Sequence, residues 1–223
     1  MKVLVTGSSR GLGAEIIKVF AVNGVDVIIN YNHSKKEAYK LADSITNVNV
    51  EVIKCDISNE DEVKAMFDRI DHLDYLINNA AISDDKDLKD KSVLEFNRIL
   101  HTNLTGTFLV TKYAIDKMDK GSIVNISSTN AINTYYPESI DYDASKAGVI
   151  SLTHNFSKYL PDFNVNCVCP DWIDTDITNL MDEEYKKKIK FIKKEDLAKL
   201  IYKVCTNKNL KDQIIKVSGE DVR

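Results

Sequence analysis

Tyr142-Asp143-Ala144-Ser145-Lys146 sets a phenol and an amine four residues apart at the start of a helical stretch. At that spacing both side chains lie on one helix face. A tyrosine exchanges protons poorly near neutrality because its ordinary pKa is about 10. A neighbouring ammonium favours the phenolate and lowers that value. The pair then serves as proton donor and acceptor for a carbonyl/alcohol couple. The spacing alone arises often by chance and then marks a surface pair. Here other residues join it. The run from Ser122 ends in Ser127-Ser128, two hydroxyls of which one can hydrogen-bond a reacting carbonyl oxygen. Asn103 lies inside a long, mostly apolar helical stretch, where a polar side chain needs a partner.

A second group of residues suits a phosphate. Thr6-Gly7-Ser8-Ser9-Arg10-Gly11-Leu12-Gly13 follows directly on a short apolar run. Glycine permits a tight turn and close backbone approach, and the helix that follows offers free N–H groups to an anion. The spacing is G-x-x-x-G-x-G, not the commoner G-x-G-x-x-G. Its place after the first strand of a βαβ unit is what points to phosphate binding. An acid at the end of the second strand would hold a ribose 2′-hydroxyl and repel a 2′-phosphate. That place reads Asn30-Tyr31-Asn32-His33, with no acid, while Arg10, aided by Lys35 or Lys36, is available to neutralise a phosphate. NADPH is therefore expected in preference to NADH.

The elements that carry these residues alternate. Short runs rich in Val and Ile predict strands over 2–6, 26–30, 49–54, 73–78, 122–127, 164–168 and 213–217. Amphipathic stretches predict helices over 12–23, 35–46, 60–71, 92–118, 142–160 and 195–205. Ser58-Asn59-Glu60-Asp61 reads as a helix start with a polar cap and an acidic first turn. The β-α-β-α order implies an α/β fold: a doubly wound parallel sheet of about seven strands, Rossmann-type, with helices on both faces. The 223 residues are expected to form one domain, 1–223, for dinucleotide binding and catalysis; only three prolines occur and no linker is visible.

Composition narrows the partners. Thirty basic and 34 acidic residues leave a formal charge of −4, which gives no electrostatic footprint for nucleic acid or an anionic membrane. The run 186–194 is rich in Lys but interrupted by apolar residues, and reads first as a solvated helix face. The four cysteines are too few and scattered for a disulfide framework. Cys167 and Cys169 alternate onto one face of a strand, as buried small hydrophobes and not as metal ligands. No signal or membrane-spanning segment is visible, so the expected compartment is the cytoplasm.

Taken in order, residues 6–13, Asp56, Asn78-Asn79-Ala80-Ala81, Asn103, Ser128, Tyr142 with Lys146, and residues 170–175 resemble the short-chain dehydrogenase/reductase family over nearly the full chain. Within it, Asn103-Leu104-Thr105-Gly106-Thr107-Phe108 and the stretch from Val165 to Asp176 are similar to 3-oxoacyl-[acyl-carrier-protein] reductases of fatty acid biosynthesis. The resemblance implies Tyr142 as general acid in reduction. Lys146 would hold the nicotinamide ribose and lower the tyrosine pKa. Ser128 would polarise the substrate carbonyl, and the main chain of Asn103 would place a water in a relay ending at Lys146. For the cofactor it implies Gly7, Ser9, Arg10, Gly11, Leu12 and Gly13 around the phosphates. Tyr31 and Asn32 would lie at the adenosine end and Asp56 with Ile57 at the adenine. Asn79, Ala80 and Ala81 would line the ribose, and Pro170, Ile173 and Thr175 the nicotinamide side. Homodimers or homotetramers, and an acyl-thioester or other small-molecule substrate, come with the family.

Three departures fall near the expected substrate entrance. Ala81 stands where the family has Gly, adding a methyl expected to crowd the cofactor. Asp171 stands where the family has Gly after Pro170, placing a charge where the backbone bends. The connection from Ser128 to Tyr142 carries Tyr135-Tyr136-Pro137-Glu138. These leave open a different ketone or alcohol, such as a sugar, a polyketide or a small secondary alcohol. The non-enzyme alternative is a cofactor-binding sensor.

Overall fold

The computed structural model describes residues 1–174, 184 and 189–219. Its strands are β1 (Lys2–Val5), β2 (Asp26–Tyr31), β3 (Val50–Lys54), β4 (Tyr75–Asn78), β5 (Ser122–Ile126), β6 (Asn164–Pro170) and β7 (Ile214–Val217). They form one sheet in the order β3-β2-β1-β4-β5-β6-β7, and every pairing is parallel. Strand side chains alternate between faces, and here both faces are buried. Val3, Val5, Val27 and Ile29 share one core with Ile16, Ile17 and Phe20 of α1 (Gly11–Val22) and Leu197 and Ile201 of α7 (Lys194–Thr206). Leu4, Ile28, Leu76 and Ile123 share the other with Met66 and Phe67 of α3 (Glu60–Asp68) and Leu109 and Val110 of α5 (Gly106–Ala114). That two-sided burial is why the strands read as continuous apolar runs and not as alternating ones.

Further helices among the described residues are α2 (Lys35–Asp43), α4 (Val93–Leu100) and α6 (Ile140–Tyr159). Asn59 caps α3, its side chain accepting from the N–H groups of Asp61 and Glu62, as its position predicts. One expectation is corrected. The stretch 92–118 is not a single helix. After the Ser92/Glu95 capping box, α4 runs into a π-helical turn, His101–Thr105, before α5 resumes, and the end tightens to a 3-10 turn at Ile115–Lys117. The apolar period alone does not reveal such a turn.

All four cysteines are free and buried, with Cys167 Sγ and Cys169 Sγ 3.7 Å apart. Among the described residues no cluster of three or more His, Cys, Asp or Glu is arranged to hold a metal, and no helix is long and apolar enough to cross a membrane. Of the lysine-rich run, residues 186–188 lie outside the described residues. The sheet order reverses between β1 and β4, and a crevice opens at the carboxyl ends of strands at such a switch point.

Candidate active site

The loop after β1 is shaped by backbone positions that exclude side chains. Gly7 and Gly11 have φ of 61° and 59°, in the left-handed region that glycine enters at no steric cost. A Cβ on Gly7 would lie 2.9 Å from Ala80 Cα, and one on Gly13 would lie 2.7 Å from both Gly7 O and Asn79 Nδ2. The loop is thus folded directly onto residues 79 and 80. Asn79 Nδ2 donates to Thr6 O at 2.9 Å and Gly7 O at 3.2 Å, and Thr6 Oγ1 accepts from the N–H groups of Asn79 and Ala80 at 3.0 Å each. Leu12 and Gly13 are buried, Ser9 is half-buried and Arg10 is exposed. Arg10 supplies no side-chain cap to α1, so the first N–H groups of that helix remain available. A phosphate fits such a cradle.

Asn30 secures the loop from the other side. Its Oδ1 accepts from Gly7 N at 2.9 Å, its Nδ2 donates to Cys55 O at 3.1 Å, and its own N–H reaches Ser8 Oγ at 3.1 Å. In the sequence Asn30 marks only the lack of an acid. Its supporting role was missed, and its one signal is a polar residue within an apolar strand.

The residues expected at the adenosine end lie where β2 and β3 end. Tyr31 is buried and its ring meets that of Tyr39 at 6.5 Å. Burial pushes the Asp56 carboxyl up, but hydrogen bonds from Ser58 and Asn32 outweigh it and hold the group below its ordinary value. Ile57 is buried against Gly106, where a Cβ would meet its Cδ1 at 2.8 Å. Ala80 is half-buried and Ala81 exposed. Among the described residues only Asp212 of the non-glycines has positive φ, so neither Ala81 nor Asp171 stands in a conformation that needs glycine. Asp171 Oδ1 accepts from Trp172 N at 2.9 Å. Pro170 closes β6, and Ile173 forms a parallel bridge with Ile192. Thr175 lies outside the described residues.

The proton-handling residues converge from three elements. Tyr142 and Lys146 lie on α6, Ser128 follows β5, and Asn103 sits in the π-helical turn. Lys146 Nζ is 5.5 Å from the centre of the Tyr142 ring and donates to Ile126 O at 2.8 Å. Ser127 Oγ is committed to Lys146 O at 2.8 Å, whereas Ser128 Oγ accepts from Asn130 N at 3.2 Å and opposes the rise of the Tyr142 pKa. Asn103 grips the loop beyond the cofactor stretch: its Oδ1 accepts from Ile82 N at 2.8 Å, and its Nδ2 donates to Ile82 O at 2.9 Å and Ser145 Oγ at 3.0 Å. Its main-chain oxygen accepts from Thr107 Oγ1 at 2.8 Å.

At Tyr142 burial outweighs every opposing influence. Burial pushes the phenol up to about 12; the Ser128 hydroxyl opposes this, and the charges of Asp143 and Asp85 add to it. Burial brings Lys146 down to about 8. The Lys146 amine is buried and donates to Ile126 O. Tyr142 is therefore held firmly protonated, the state a proton donor needs.

The sheet, the cradle at its switch point and the acid-base side chains beside it place the protein among the nicotinamide-dependent oxidoreductases. Residues 1–186 match the family model for short chain dehydrogenases, and the chain belongs to that family. It is 35% identical to the 3-oxoacyl-[acyl-carrier-protein] reductase FabG of Aquifex aeolicus, covering 97% of this chain and 95% of that protein. It is 32% identical to the enzyme of the same name from Staphylococcus aureus, covering 97% and 96%. Among solved structures, a short chain dehydrogenase of Burkholderia cenocepacia in complex with NADP superposes with a TM-score of 0.92 at 27% identity, covering 97% and 96%.

Proposed function

We propose that the protein reduces a carbonyl to a secondary alcohol with NADPH, with Tyr142 as proton donor and a 3-oxoacyl thioester as substrate. The observation that carries this is the Ser128 hydroxyl against a Tyr142 phenol whose pKa is pushed up to about 12, with the Lys146 amine buried behind them. Bound nicotinamide supplies the hydride. Ser128 donates to the carbonyl oxygen and polarises it. Tyr142 gives its proton to that oxygen as negative charge develops there. Lys146 Nζ, with donors beyond the one spent on Ile126 O, holds the ribose and steadies the phenolate left behind. Asn103, through its main-chain oxygen, holds water for reprotonation. The uncapped start of α1 and Gly7, Gly11 and Gly13 receive the phosphates. Exposed Arg10 beside a strand end without an acid supports NADPH over NADH.

The similarity to the Aquifex and Staphylococcus reductases supports an acyl chain carried on acyl carrier protein, within fatty acid biosynthesis. A second reading is favoured by Tyr136 and Trp172, whose rings meet edge to face at 6.1 Å. They suit a ketone on a flat apolar skeleton. Exposed Val93 and Leu94 on α4 and Phe108 on α5 support a homodimer or homotetramer, and the family resemblance supports the cytoplasm.

The test is a side-by-side titration of NADPH and NADH, followed by cofactor oxidation with acetoacetyl thioesters and with ring ketones. Tight NADPH binding with thioester turnover is the expected result. Turnover confined to ring ketones moves the substrate, and equal turnover by Tyr142→Phe removes the proposed proton donor.

A further inference from the structure

Asp143 directly follows the tyrosine, and nothing in the reaction scheme above uses it. Its side chain is 9% exposed. Oδ1 accepts from Asn130 Nδ2 at 2.7 Å, and Oδ2 accepts from Tyr136 N at 3.0 Å. Both oxygens are thus engaged on the segment that follows Ser128. Asn130 in turn surrounds the Ser128 hydroxyl. Its N–H donates to Ser128 Oγ at 3.2 Å, and its Oδ1 lies 3.4 Å from that Oγ as an acceptor.

The amide orientation follows from the charge. A carboxylate accepts and cannot donate, so it fixes the amide with Nδ2 towards Asp143 and Oδ1 towards Ser128. With the amide reversed, Nδ2 would press a second donor on Ser128 Oγ. In the observed orientation the Ser128 oxygen receives one donor, from the Asn130 backbone. Its single proton stays free to move between a weak acceptor at 3.4 Å and the site in front of Tyr142. A hydroxyl that already accepts one hydrogen bond is a better donor in its next.

We infer that Asn130 and Asp143 are positioning residues for the reduction: Asp143 fixes the Asn130 amide, and Asn130 aims the Ser128 hydroxyl at the substrate carbonyl. The pair touches no substrate and acts only through Ser128. This rests on the role proposed above for Ser128, and the experiment separates the two.

The measurement is a double-mutant cycle. Wild type, Ser128→Ala, Asn130→Ala, Asp143→Ala and the combinations with Ser128→Ala are assayed with NADPH and an acetoacetyl thioester. Cofactor affinity is read by fluorescence and folding by thermal melts. Asn130→Ala and Asp143→Ala each lower kcat roughly 10-fold with KM and cofactor affinity little changed. In the Ser128→Ala background neither lowers it further. Full additivity in that background overturns the inference and leaves the Ser128 role standing. Wild-type kcat in Ser128→Ala alone overturns the Ser128 role and with it the inference.

A second readout needs no turnover. The Asn130 side-chain amide, assigned by its loss in Asn130→Ala, shifts in the NMR spectrum of both Asp143→Ala and Ser128→Ala. An unmoved resonance in Ser128→Ala overturns the inference. Because Asn130 is half-exposed, Asn130→Ala keeps the test available if Asp143→Ala does not fold.

Discussion

Lys91 Nζ lies 2.7 Å from Asp141 Oδ1, and the two side chains are 2% and 0% exposed. The same Nζ donates to Asp84 O at 2.7 Å, and the same Oδ1 accepts from Tyr142 N at 2.9 Å. With Lys86 N to Glu138 O at 3.0 Å and Ser139 Oγ to Asp85 Oδ1 at 2.7 Å, this ties the loop between β4 and α4 to the start of α6. A buried ion pair is costly to break because one charge is left alone in the interior. Lys91→Ala is expected to destabilise the fold by about 3–5 kcal/mol. Lys91→Met combined with Asp141→Leu is expected to recover most of that loss. Urea midpoints of the three proteins decide the matter, and equal midpoints for wild type and Lys91→Ala refute it.

Two glycines of the cradle are expected to respond differently. Gly13→Ala must push Asn79 Nδ2 and the Gly7 carbonyl from contacts of 2.7 Å. Overpacking of this kind costs about 1–3 kcal/mol, and it distorts the loop that receives the phosphates. Gly11→Ala meets nothing within 4 Å but keeps a φ of 59°, which costs about 1–2 kcal/mol in strain. Calorimetry with NADPH is expected to show a large affinity loss for Gly13→Ala and a small one for Gly11→Ala. The reverse order contradicts this account of the loop.

Lys146 gives a pH signature. Its folded value is about 8 against an ordinary 10.5. Below pH 8 both folded and unfolded chains carry the proton, so the slope of stability with pH is zero. Between about 8 and 10.5 the unfolded chain binds more protons, and stability rises with pH. Lys146→Met removes the cost of burying the charge, so at pH 7 it is expected to be inactive yet more stable, by at most about 3 kcal/mol. That advantage shrinks by pH 9.5. Tyr142, raised from 10 to about 12, acts in the opposite sense, and only above pH 10. Chemical denaturation at pH 7 and 9.5 measures both arms. A variant less stable than wild type at pH 7 is the contrary result.

Arg10 is the simplest probe of cofactor choice. It is exposed and makes no cap to α1, so replacing it leaves the fold intact. Arg10→Glu is expected to weaken NADPH at least tenfold while leaving NADH within about twofold, since a surface phosphate contact is lost and a repulsion gained. Equal effects on both cofactors assign Arg10 no part in the choice.

Much of this was readable in advance because parallel strands announce themselves. Buried on both faces, they are continuous runs of Val and Ile, and all seven formed where those runs lay. The α/β class followed from the order of elements. Tyr142, Lys146 and the glycines stand out because their expected chemistry sets their spacing, whereas only the family resemblance separates Ser128 from Ser127. Asn30, Asn130 and Asp143 do not stand out, since each acts by a hydrogen bond to a residue that neighbours it only in space. The π-helical turn at His101–Thr105 was hidden because it changes the backbone path while leaving the apolar character of the stretch unbroken. At Tyr142 a four-residue spacing shows an amine near a phenol, but only the packing shows how strongly burial raises that phenol.

The bonds between Thr6 and Asn79 have a consequence for synthesis. The cradle at residues 6–13 contains every glycine it needs, yet it closes only on residues 79 and 80. At the roughly 5–20 residues per second of translation, the emerging chain carries an unfinished phosphate loop for several seconds. During that interval β1 also lacks its partner β4 and has an open edge. The nascent protein therefore closes its cradle only after residues 79 and 80 are made, and early protection of that edge falls to β2 and α1 alone.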